Sequence, residues 1–151
     1  MTGQILDIVT SPVTVVTVKN GDKVNGMTVA WIMQAAFNPA LIVVSIAPER
    51  YTYSLIKESK VFGVNILADN QKDLGRHFGF SSGRNSDKFK GIKFSNSKSG
   101  LPVLSDAYAY IECKLISVSN AGDHDLFVGE ALEKSVDNKK RPLVFKSSDY
   151  F

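Results

Sequence analysis

Within eight residues, Ser45-Ile46-Ala47-Pro48-Glu49-Arg50-Tyr51-Thr52 sets a hydroxyl at the end of an apolar run, a guanidinium, and a threonine able to cap a helix. Helix-terminal amides and arginine both suit phosphate, so this spacing is that of an anion site. The competing reading leaves Thr52 as a plain helix cap and Arg50 in solvent. A second group of hydroxyls, peptide N–H groups and cations lies in Ser81-Ser82-Gly83-Arg84 and, four residues on, Lys88. If the fold brings that loop beside Arg50, both groups can grip one phosphate; otherwise it is a polar surface loop. His124, in the turn Gly122-Asp123-His124, can offer an imidazole to a ligand edge, whereas His77 beside Phe78 packs or faces solvent.

The wall for such a ligand is expected in Asn25-Gly26-Met27-Thr28-Val29-Ala30-Trp31. An Asn-Gly pair favours a turn with positive φ, and a strand of small residues after it leaves backbone open to close approach. A plain hairpin has the same sequence, so the motif gains meaning only with the anion site. Other chemistry is excluded by what is missing. No HExxH or EF-hand spacing occurs, and two histidines so far apart make no metal site, so no metal is expected. The GxGxxG, Walker and GxSxG patterns are also missing.

Composition narrows the class further. The chain has 151 residues, enough for one domain with a substantial core, and 44% of them are hydrophobic against 22% charged. A net charge of +3, with dispersed cations, argues against nucleic acid as a partner. Tyr108 and Tyr110 alternate with alanines and offer either a stacking platform for bases or a core or dimer surface. The single Cys113 sits in an alternating strand pattern and reads as a packing residue. With no signal-peptide pattern and no apolar run long enough to span a bilayer, the expectation is a cytoplasmic protein with no membrane role.

These residues must be positioned mainly by strands. Val13 to Val18 is almost wholly β-branched and predicts a strand, turned at Lys19-Asn20-Gly21-Asp22. Residues 32–40 predict a strand end plus loop, and Leu41 to Ile46 a strand buried on both faces. A short helix capped by Thr52 follows, then a strand over Val61 to Leu67 and a helix capped by Asp69. Ala107 to Ser119 and Asp125 to Leu132 form a long hairpin, and Leu143-Val144-Phe145 a last strand. Six or seven strands joined mostly by hairpins, with about two short helices inserted, predict a mainly β fold, an antiparallel split barrel of Greek-key type.

Taken together these segments resemble the flavin reductase-like family of FMN-binding split barrels. The resemblance runs over nearly the whole chain: Asn25-Gly26-Met27-Thr28, Asn38-Pro39, Ser45-Ile46 with Arg50 and Thr52, and Val61 to Leu67. It continues in Lys88-Phe89, Gly100 to Leu104, Gly122-Asp123-His124 and Leu126 to Glu130. Phe78-Gly79-Phe80 and Asp125 to Ala131 look like the ferric reductase branch. The resemblance implies a single domain over residues 1–151 and a homodimer with FMN near the interface. NADH or NADPH would be the reductant, and electrons would pass to free flavin, ferric chelates or a partner protein. A non-catalytic FMN electron carrier is the alternative. By position, Met27, Thr28, Val29, Ala30, Trp31, Ser45 and Ile46 would line the flavin, while Arg50, Thr52, Ser81, Ser82 and Lys88 would surround its phosphate. His124 would face nicotinamide and flavin as the catalytic residue. Ala30-Trp31 departs from the small hydroxyl residues that many relatives carry there.

Overall fold

A computed structural model describes residues 5–150 of the chain. The expected mainly β, antiparallel architecture with two helices is what it contains. β1 (Thr14–Asn20) and β2 (Lys23–Val29) form a hairpin closed by the Asn20–Lys23 pair, with Gly21 in the left-handed region at φ 63°. That position needs glycine because a Cβ there clashes with the backbone. Asn25-Gly26, by contrast, is not a turn. Asn25 pairs with Val18 and Gly26 with Thr17 inside the ladder. Gly26 is required for packing, since a Cβ on it would lie 3.0 Å from the Phe78 ring.

The chain continues through β3 (Ile32–Ala36), β4 (Leu41–Ile46), α1 (Tyr51–Ser59), β5 (Val61–Ile66) and α2 (Lys72–Gly79). Then come β6 (Phe94–Asn96), β7 (Pro102–Leu104), β8 (Ala109–Ala121) and β9 (His124–Val136). Seven strands form one antiparallel sheet in the order β2-β1-β5-β8-β9-β4-β3, and β6 pairs with β7 alone. The sheet's two edges, β2 and β3, are consecutive in sequence. The amide of Ser45 donates to the carbonyl of Trp31 at 3.0 Å, tying the end of β4 to the link between those edges.

Several expectations need correction. β3 is a true edge strand where a strand end and loop were predicted, stabilised by its ladder with β4. The strand buried on both faces is β1, not β4: Thr14 to Val18 are all fully buried, whereas in β4 only Val44 and Ile46 are. β1 sits between two cores. One, inside the barrel, gathers Val16, Val18, Val44, Ile46, Phe62 and Phe127 under Leu55 and Ile56 of α1. The other takes Val13 and Val15 on the opposite face of β1, with Phe78 of α2, Phe89 and Leu104. Burying β-branched and aromatic side chains on both sides is the main stabilising contribution of such a strand.

Neither helix is capped as predicted. Arg50 occupies the cap of α1 with no side-chain bond, and Thr52 lies inside the helix, fully buried. Gln71 precedes α2, its side chain accepting from the Ala68 amide at 2.9 Å, while the Asp69 amide donates to Arg141. Residues 143–145 form single bridges rather than a strand: Val13 donates to the Leu143 carbonyl at 2.8 Å and Leu143 to that of Leu67 at 2.8 Å. Tyr110 is turned inward, its hydroxyl 3.2 Å from Glu112, so it offers no stacking platform. Cys113 is fully buried, and desolvation pushes its thiol up to about 12, in keeping with a packing role. Among the described residues no helix is long and apolar enough to cross a membrane.

Candidate functional site

Lys88 is the centre of the first cluster. Its ammonium donates to the carbonyls of Gly26 at 2.8 Å and Phe78 at 3.0 Å, so one side chain ties the loop after α2 to both β2 and α2. His77 meets the Lys88 carbonyl at 2.6 Å and fixes the same junction from the helix side. Lys88 is 5% exposed, and burial, assisted by the nearby Arg50 charge, lowers its pKa to about 8. Arg50 is thus close enough for its charge to act on Lys88. Among the described residues neither Arg50 nor Lys88 has a carboxylate within 4.0 Å. An anion placed between them would relieve both the desolvation and the repulsion.

The loop does come to the start of α1, as the anion-site reading requires. Arg84 donates to the Glu49 carbonyl at 3.0 Å and lies over the Tyr51 ring, 5.2 Å from its centroid. Ser81 and Ser82 are exposed, and their side chains support the loop itself: Ser81 donates to the His77 carbonyl at 3.1 Å and Ser82 accepts from the Arg84 amide at 3.2 Å. Thr52 is fully buried and receives a hydrogen bond from the amide of Asn25 at 2.9 Å. The Asn25 oxygen, 2% exposed at the residue, has no hydrogen-bond partner among the described residues. Buried polar atoms are nearly always paired, so this one marks a place prepared for a further group. Arg84 was expected in the phosphate loop and Asn25 at the start of the ligand wall, but the sequence carried no sign of the buried Asn25 amide, because the Asn-Gly pair was read as a turn.

At the far end of β2 lies the second cluster. Trp31 is 59% exposed, and its indole packs on the His124 imidazole with ring centroids 4.7 Å apart. The Nδ1 of His124 is 2.8 Å from the Asp123 carboxylate, and this hydrogen bond, followed by the imidazole charge, holds Asp123 below the usual carboxylate range. An Nδ1–H engaged this way leaves Nε2 as the nitrogen available to a ligand. Asp123 was not singled out in the sequence, since one adjacent acid carries no spacing signal.

Other expected wall residues divide by strand alternation. Val29 and Ile46 are buried in the barrel core, and Met27 packs against it, so these side chains face away from solvent. Thr28 points the other way and donates its hydroxyl to the Gly75 carbonyl at 2.6 Å, which joins β2 to α2. Ala30 and Ser45 are half-buried beside Trp31, linked to it by the Ser45–Trp31 backbone bond. What β2 offers is therefore backbone flanked by a cationic end and an aromatic end. Gly26 and Trp31 are separated by at most ~17 Å of extended chain. That span suits an outstretched ligand with phosphate at one end and planar rings at the other, and the residues present fit FMN on this ground.

Two grooves open nearby. One of about 570 Å³ is lined by His77, Phe80, Ser81 and Lys88, and one of about 660 Å³ by Lys19, Lys23, Tyr51, Arg84 and Phe94. Neither is lined by Trp31 or His124. Among the described residues no group of three His, Cys, Asp or Glu is arranged to hold a metal ion.

Comparison with known proteins gives this geometry a lineage. Residues 6–151 match the Flavin reductase like domain. The high molecular weight rubredoxin of Moorella thermoacetica is 35% identical over 133 residues, covering 87% of this chain and 58% of that protein. The chain spans about half the length of the first two curated relatives it matches, 46% and 58%. Among solved structures, the FMN-binding protein from Thermus thermophilus with bound 1-cyclohex-2-enone superposes with a TM-score of 0.86 at 30% identity, covering 96% of this chain and 86% of that one. The flavin reductase PheA2 gives 0.84 at 33% identity, with 97% and 92% covered. A domain match over nearly every residue, on a barrel whose cations gather at one end of β2, places this chain in the flavin reductase-like family.

Proposed function

We propose that the chain binds FMN along β2 and transfers hydride from NADH or NADPH to it, passing electrons on to free flavin, a ferric chelate or a partner protein. The observation that carries this reading is the pair Arg50 and Lys88, uncompensated by carboxylate, at one end of a strand whose other end holds Trp31 and His124. When bound, the flavin supplies the redox chemistry by accepting a hydride. The protein's own part is orientation. Arg50 and Lys88 hold the phosphate, with exposed Ser81 and Ser82 at the mouth and the Asn25–Thr52 pair beneath. His124, locked in tautomer and ring angle by Asp123 and Trp31, presents Nε2 to the reacting edge and fixes the approach of nicotinamide. The names of the FMN-binding and flavin reductase neighbours support this cofactor and this reaction.

Anaerobic addition of NADH, and separately NADPH, to the purified protein loaded with FMN tests it. Loss of the flavin's visible absorption band with at least one nucleotide is expected. A band unchanged by both excludes the reductase reading.

A second reading is favoured by one observation, the kinship with a larger protein named for rubredoxin. There the domain would carry electrons between proteins without using nicotinamide. Stoichiometric reduction by a ferredoxin-type donor, with no nucleotide turnover, selects this alternative.

A further inference from the structure

The turn that carries His124 is held from few directions. β8 pairs with β5 only as far as Lys114, and β9 with β4 only from Asp125 onward, so residues 116–124 form a two-stranded hairpin that runs past the sheet. A free hairpin is marginally stable by itself. The tip here is open to solvent: residues 119–123 are all exposed, and Gly122 turns the chain at φ 69°. Among the described residues, a single side-chain hydrogen bond reaches residues 116–126 from another element. The Tyr53 hydroxyl of α1 donates to the Asp125 carboxylate at 2.6 Å.

Tyr53 is braced at both ends. Its amide donates to the Arg50 carbonyl at 3.1 Å, and its ring packs edgewise on the fully buried Phe127 with centroids 5.1 Å apart. Lys57, one turn further along α1, lies over the ring face 5.2 Å from its centroid. The carboxylate then carries the constraint into the turn. Its second oxygen accepts from the Asn120 amide at 3.1 Å, and the same amide donates to the Gly122 carbonyl at 3.1 Å. The Tyr53 hydroxyl, then the Asn120 amide and the Lys57 charge, hold Asp125 below the usual carboxylate range, so it accepts from both partners at neutral pH. Asp123 and His124 lie between the two anchored residues. The Asp123 side chain is 96% exposed, and an ion pair so open to water contributes little by itself. What keeps it beside the imidazole is the backbone that Asp125 and Asn120 hold.

We propose that Tyr53 is a positioning residue: through Asp125 and Asn120 it sets the hairpin tip so that Asp123 keeps the His124 Nδ1–H and Nε2 stays turned to the ligand. The inference deepens the proposed function and rests on the role given there to His124. It also joins the two ends of the site, since the turn of α1 that holds Tyr53 begins at Arg50.

Nitrogen-15 NMR of the His124 imidazole in flavin-free protein, at about pH 9 where imidazole is neutral, decides the first half. Wild-type protein should show one tautomer, protonated at Nδ1. Tyr53→Phe keeps the ring and its contact with Phe127, removes only the hydroxyl, and should give a mixture of both tautomers. Asp125→Asn is expected to do the same, with the double variant no worse than Asp125→Asn alone, because one link is being broken. Unchanged imidazole signals in Tyr53→Phe, or a double variant whose effect is the sum of the two, overturn the proposal, as does a change confined to the unfolding midpoint. Stopped-flow reduction of FMN-loaded protein by saturating NADH or NADPH tests the second half. Tyr53→Phe should slow flavin reduction about tenfold, the scale of a displaced orienting group, while FMN affinity is retained. An unchanged rate gives Tyr53 no part in the reaction and overturns the proposal. Wild-type protein that neither nucleotide reduces, with the imidazole signals shifting as expected, sinks the reductase reading and leaves the positioning of His124 by Tyr53 standing.

Discussion

Lys88 commits its donors to Gly26 and Phe78 within reach of the Arg50 charge, so its charge is held in place at an electrostatic disadvantage. With a folded pKa of about 8 against an ordinary value of 10.5, the unfolded chain holds more protons between those limits. Stability contributed by this group therefore rises with pH from about 8 and levels off near 10.5. Ligand binding runs the other way. A phosphate beside Lys88 favours the charged form, so FMN affinity is expected to fall as pH rises through 8. Lys88→Met should weaken FMN about tenfold at pH 7, the scale of one charge-assisted hydrogen bond, and flatten that pH dependence. Flavin fluorescence quenching between pH 7 and pH 9.5 checks both. Trp31 and His124 show what residue type alone leaves open. An imidazole in a turn and an indole at a strand end each have many uses, and only their contact at 4.7 Å gives them a shared one.

At the level of elements, close approach of backbone explains where glycine is required inside strands. A Cβ on Gly129 of β9 would lie 2.6 Å from the Phe62 ring and 3.1 Å from the Cys113 Cβ. Gly129→Ala is expected to destabilise by about 1–3 kcal/mol through overpacking. In a domain of this size that lowers Tm by a few degrees per kcal/mol. Urea unfolding followed by circular dichroism measures it, and an unchanged midpoint contradicts the packing account. The strands read correctly from sequence were those with apolar, β-branched or alternating runs, β1, β4, β5, β8 and β9, because local propensity favours extended chain there. β3, β6 and β7 were missed or merged into loops. Each is only three to five residues long and is defined by a single neighbour. Both helix caps were misassigned for a related reason. Thr52 and Asp69 have the chemistry of caps, yet a tertiary partner, Asn25, takes the hydroxyl of Thr52 inward, and the backbone of Arg141 takes the amide of Asp69.

For the molecule as a whole, the edge strand β3 sets the next expectation. It and its flanks expose Trp31, Met33 at 62% and Phe37 at 90%, beside a site whose aromatic end is open on one side. An apolar edge of this kind suits association, and the homodimer that the family resemblance implies would bury it. Sedimentation velocity should give a dimer, and Met33→Glu a monomer that holds FMN more weakly. A wild-type monomer with full flavin affinity would discard the dimer. By itself the sequence determined the fold class, the antiparallel barrel with two short helices, because alternation and turn chemistry are local. It also supplied the residue types able to hold a phosphate. Only the tertiary structure decided that the loop from Ser81 to Lys88 reaches the start of α1. The same is true of Thr28, which turns to α2, of Ile46, which turns into the barrel core, and of Asn25-Gly26, which is ladder rather than turn. Such choices depend on which partner across the fold claims each hydrogen bond and each cavity, and that information is not carried by spacing along the chain.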